Sequence, residues 1–95
     1  MKNNYKVYYA TEENCFEGEK LAENVSRDTA KEILDSNITD DVKYGGERDS
    51  LVAEAMSSGW VLFENTHGYE VLYIVTTNGR DARSIINGFR KNILG

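Results

Sequence analysis

Cys15 and His67 are the only cysteine and histidine in the chain, so they are the only thiol–imidazole pair that could do nucleophilic chemistry. Such chemistry needs a nucleophile, a base within hydrogen-bond reach and a group that orients the base. Both residues fall on turns, and no third member is evident from the sequence. A small buried or half-buried cysteine and a turn histidine account for them, and no catalytic role is assigned. One Cys and one His also exclude an intramolecular disulfide, a Cys-cluster zinc site and a multi-histidine metal site. Carboxylates are plentiful, but no pair stands at a spacing that demands acid–base work. Gly45-Gly46 is not followed by the Gly-x-x-x-x-Gly-Lys run that cradles phosphates. The chain is therefore read as non-enzymatic, with no cofactor and no metal.

Charge offers more. Residues 1–50 hold twelve acids and seven bases, and residues 51–95 hold four of each, so the net −5 resides in the first half. Glu12, Glu13, Asp40 and Asp41 are the clearest acidic pairs. Carboxylates on a rigid sheet can imitate nucleic-acid phosphates and attract a basic, nucleic-acid-binding protein surface. The competing explanation is solubility, which a net charge away from zero also serves. The four bases of the second half, Arg80, Arg83, Arg90 and Lys91, lie together near its end. Arg90 and Lys91 suit the C-terminal end of a helix dipole, whereas Arg80 and Arg83 sit at the N-terminal end, where a cation is mildly unfavourable. That makes Arg80 and Arg83 the candidates for an anionic ligand.

These residues must be positioned by a small set of elements. Tyr5–Thr11 is rich in aromatic and β-branched residues and reads as a strand. Lys20–Val25 alternates as a second strand after a polar turn at Glu12-Glu13-Asn14. Ser26 is an N-cap for a helix over 27–36, with Ala30, Ile33 and Leu34 as its apolar stripe. Asn37–Gly46 is polar and irregular. A second helix is expected over 48–58, closed by Gly59 as its left-handed terminator. Trp60–Glu64 and Tyr69–Thr77 form a hairpin around Asn65-Thr66-His67-Gly68. The second of these strands is apolar on both faces, as a central strand must be. Asn78 caps a final helix over 80–94, whose Ala82, Ile85, Ile86, Phe89 and Ile93 follow helical spacing. Arg27-Asp28 and Arg80-Asp81 open the two flanking helices, a likeness that capping chemistry explains better than an internal repeat.

The expected fold is thus α+β: a single domain with a four-stranded antiparallel sheet in ββα-α-ββα order and helices packed mainly on one face. A chain of 95 residues with 40% hydrophobic content supports one modest core. The apolar stretch Val7–Ala10 is too short for a secretory signal, and no run approaches a membrane span. With an unpaired cysteine, this points to a cytoplasmic protein. If helices cover one face only, Tyr8 or Tyr69 is expected on the open face beside carboxylates, a pairing common on protein-recognition surfaces.

In size, acidity and lack of catalytic residues the chain is similar to small acidic phage and mobile-element proteins of bacteria, some of which inhibit host defence nucleases by binding them. That resemblance assigns no residues. The expectation it shares with the charge map is a binding protein, or inhibitor, whose acidic half meets a basic protein partner. Direct nucleic-acid binding and membrane contact are not expected, and a homo-oligomer is compatible with the composition. The alternative is an oligomeric small-ligand or nucleotide-binding protein that uses the basic last helix.

Overall fold

A computed structural model describes residues 3–94. The elements follow the order β1 (Tyr5–Thr11), a 3-10 turn (Glu12–Asn14), β2 (Glu19–Val25), α1 (Arg27–Thr39), α2 (Gly45–Ser58), β3 (Trp60–Glu64), β4 (Glu70–Thr76) and α3 (Gly79–Leu94). The four strands form one antiparallel sheet in the order β2-β1-β4-β3. The expected α+β architecture is present.

Local chemistry sets the helix limits. The Ser26 hydroxyl accepts from the Thr29 amide at 3.1 Å and starts α1, which runs one turn further than its apolar stripe suggested, burying Ile38 below Ala30 and Leu34. Gly45-Gly46, expected as irregular chain, instead forms the first turn of α2. First-turn amides need no intrahelical partner, so glycine costs less there than mid-helix. Gly59 ends α2 at φ 90°, with its amide donating to the Ala55 carbonyl at 2.8 Å. The Asn78 side chain accepts from the Arg80 amide at 2.9 Å and caps α3.

Strand alternation divides the core in two. Val7, Val61, Val71, Tyr73 and Val75 face α1 and α2, packing on Leu34, Ile38, Val52 and Ala55. Ala10, Leu72 and Ile74 face the other way, onto Ala82 and Ile86 of α3. Two helices therefore share one face, and the third crosses the opposite face. β4 explains why: with both faces apolar, it needs cover on both sides. The two ββα halves are not equivalent, because β2 is an edge strand and β4 a central one.

The two edges differ. β2 carries Glu19, Lys20 and Glu23, and its pairing with β1 slips twice, between Tyr5↔Val25 and Val7↔Ala22 and again before Tyr8↔Lys20. Asn24 sits in the first irregularity at φ 57°. Charges and bulges together make this edge a poor template for another strand. β3 pairs regularly with β4 from Trp60↔Ile74 to Glu64↔Glu70.

Candidate functional site

The residues of the acidic half come from distant segments, and the fold gathers them at one end of the sheet. β1 ends at Thr11, whose hydroxyl accepts from the Glu13 amide and donates to the Glu70 carbonyl at 3.3 Å. The Glu12 carboxylate accepts from the Glu70 amide at 3.1 Å, so the 3-10 turn is stitched to the start of β4. From the other side, α1 ends at Asp40, and the Asp41 carbonyl accepts from the Thr66 amide at 3.0 Å in the β3–β4 turn. Glu12, Glu13, Asp40 and Asp41 are thereby brought around the β3–β4 turn.

That turn is built by Asn65. Its buried Oδ1 accepts from the amides of both His67 and Tyr69 at 3.0 Å. His67 and Tyr69 are both exposed, Tyr69 to 41%. An open sheet face for Tyr8 or Tyr69 is not found, because α3 covers the second face; Tyr69 is exposed at the turn instead. Tyr8 is half-buried on the α3 side.

The electrostatics of this end centre on Asp41. Its carboxylate accepts a 2.5 Å hydrogen bond from the Tyr73 hydroxyl. Burial pushes the Asp41 carboxyl above the usual range. The bond from Tyr73 acts in the opposite sense, and the charges of Asp40 and Glu13 add to the rise. Burial and then the Asp41 bond hold the Tyr73 phenol well above its ordinary value. Burial likewise raises the Tyr9 phenol, whose ring lies 5.1 Å from that of Tyr73. Asp40 and Glu13 thus add their negative charge around the Asp41 carboxyl.

The four acids are not equal. Glu12 and Asp41 are half-buried and bonded within the fold, whereas Glu13 and Asp40 are exposed. The pair available to a partner is therefore Glu13 and Asp40, with Glu12 and Asp41 fixing the segments that carry them. Cys15 is exposed at φ 62°, at the end of the 3-10 turn, and no side-chain hydrogen bond joins it to His67 among the described residues. No group of three or more metal-ligating side chains forms among those residues.

On the opposite face, Arg83 and Arg90 line a cavity with Tyr8 and Asn87, while Arg80 is exposed and does not line it. Sequence reasoning named Tyr8 as a recognition tyrosine and Arg90 as a dipole-end cation, not as partners of Arg83, and it did not select Asn87, Asn65 or Tyr73. For Tyr73 a signal existed: a hydroxyl within the apolar run Val71–Val75 requires a buried acceptor. No helix among the described residues is long and apolar enough to cross a membrane.

A scan against protein-family models finds no match, and searches of the curated proteins and of the solved structures return none.

Proposed function

We propose that the protein is a non-enzymatic binding module whose acidic end docks on a basic, nucleic-acid-binding surface of another protein and thereby competes with nucleic acid for it. One observation carries this reading: Glu13 and Asp40, from segments far apart in sequence, both lie close enough to Asp41 to raise its carboxyl. Solubility alone has no need for such convergence, since dispersed charges serve it as well. Tyr69, exposed at the end of the same β3–β4 turn to which Asp41 is bonded, adds an aromatic anchor of the kind found at the centre of protein interfaces.

The test is capture of a basic protein by the tagged chain from nuclease-treated lysate at low salt, compared with the Glu13→Lys/Asp40→Lys variant. Stoichiometric capture that is lost in the variant and released by added salt supports the reading. Capture that survives both the variant and the salt overturns it.

A further inference from the structure

The α3 face holds a second site of opposite character. A single helix cannot cover four strands, and a cavity of about 220 Å³ opens between α3, β1 and the segment that precedes β2. Tyr8, Arg83, Asn87 and Arg90 supply its polar lining, and Ile86 and Phe16 its apolar base. Arg83, Asn87 and Arg90 stand at i, i+4 and i+7, so they form one strip along the helix. The two arginines are two turns apart, roughly 10 Å along the axis.

Three features mark this cavity as built for an anion. First, no carboxylate lines it, although the chain has 16 acids and 11 bases. Second, the ion pairs found among the described residues are Lys20–Glu23 and Arg48–Asp49, and neither involves Arg83 or Arg90. Third, glycines shape the walls. A Cβ on Gly79 would stand 3.0 Å from the Tyr8 hydroxyl, and one on Gly18 would stand 2.7 Å from the Ile86 Cδ1.

We propose that this cavity binds a nucleoside monophosphate. A guanidinium matches phosphate oxygens with two parallel N–H donors, which accounts for one arginine. The Tyr8 ring and the second guanidinium offer flat surfaces on which a base stacks. The Asn87 amide presents both a donor and an acceptor to a base edge. The volume lies below the roughly 300–1,000 Å³ of pockets that enclose ligands of this size, so a single nucleotide is held with part of its surface in solvent. The site is on the face opposite the acidic end and stands independently of the docking reading.

The experiment is a titration of the full chain with each of the four common ribonucleoside monophosphates, followed by amide shifts of Gly18, Gly79 and Asn87. Adenosine and inorganic phosphate serve as controls. At least one nucleotide is expected to shift these amides saturably, with both controls weaker by about tenfold or more. Arg83→Gln and Arg90→Gln are each expected to weaken binding by about tenfold, while Arg80→Gln, outside the cavity, leaves it unchanged. Because both arginines are exposed and join no ion pair among the described residues, these variants keep the fold, which the remaining amide shifts report. No saturable shift at millimolar concentration with any of the four overturns the proposal. So does equal binding by the Arg83→Gln/Arg90→Gln variant, or binding of adenosine as tight as that of its monophosphate.

Discussion

The hydroxyl of Tyr73, in the central strand β4, donates a 2.5 Å hydrogen bond to Asp41, 32 positions away, just past the end of α1. This bond ties the α1–α2 connection to the middle of the sheet, beneath the acidic end. Tyr73→Phe keeps the ring contacts with Tyr9 and Phe63 and removes the donor. Hydrogen bonds to charged groups contribute about 1.5–3 kcal/mol, and the half-exposed Asp41 recovers part of that from water, so a loss of about 1–2 kcal/mol is expected in urea denaturation. A change near zero would mean that the bond does not form in solution.

Asp41 also sets a pH dependence. Its carboxyl is raised, chiefly by burial, so the folded state holds the proton more tightly than the unfolded state. Stability from this group is therefore lowest at neutral pH and rises as pH falls through the raised pKa toward the ordinary carboxylate value of about 3.9. Asp41→Asn keeps an acceptor for Tyr73 and removes the titration. The variant should gain on the wild type at neutral pH, and that advantage should shrink in acid, as measured by denaturation at several pH values. An advantage that grows in acid would reverse the sign of the shift.

Glu13→Lys/Asp40→Lys changes exposed residues, so its global stability should stay within about 0.5 kcal/mol of the wild type. The Asp41 carboxyl should titrate lower, because two of its negative neighbours become positive. Carboxyl carbon shifts followed by NMR against pH report both directions, and an unmoved Asp41 would show that the acids do not converge.

Phe16 lies between Cys15 and Glu17 in the chain connecting β1 to β2, yet its side chain is fully buried on the α3 side at φ 56°. Its amide donates to the Thr11 carbonyl at 2.9 Å, which fixes the unusual backbone. Phe16→Ala is expected to cost about 3–5 kcal/mol, a large share of the stability of a small domain. Thermal unfolding measures it, and a loss below about 1 kcal/mol would place the ring at the surface.

Gly59 stops α2 and turns the chain into β3 with a left-handed backbone, its carbonyl accepting from the Val75 amide at 2.8 Å. Gly59→Ala should destabilise by about 1–2 kcal/mol, the cost of that conformation for a residue with a Cβ. An unchanged melting temperature would show that the turn adopts another path.

Much of the fold is legible in the sequence because the signals are local. Ser26, Gly59 and Asn78 mark helix ends through their own hydrogen-bonding or backbone freedom, and the double-sided apolar run of β4 identifies the central strand. What escaped is non-local. Gly45-Gly46 reads as a break, but a helix start tolerates it once α2 packs on β3 and α1. The apolar β4 reads as a central strand, but nothing local assigned α3 to its second face. At the site, the acidic pairs were visible as charge. That Glu12 and Asp41 are bonded inward while Glu13 and Asp40 remain free depends on the Glu70 amide and the Tyr73 hydroxyl, which lie far along the chain. Arg83 was visible from its place near a helix start, and Asn87 and Arg90 follow it by helical spacing, whereas Tyr8 became its neighbour only through the crossing of α3 over β1.

The pairing of β1 with β4, from Lys6↔Thr76 to Thr11↔Val71, has a consequence for biosynthesis. The ribosome delivers β1, β2 and both helices of one face well before β4 exists. Until β4 emerges, β1 has one unsatisfied edge, and Leu34, Ile38 and Val52 lack much of the surface they are to cover. The nascent first half is thus an exposed intermediate awaiting a late strand, the kind of species that chaperones shelter. With no proline, the chain then meets no slow prolyl isomerisation, so closure of this seam is left to the long-range search itself.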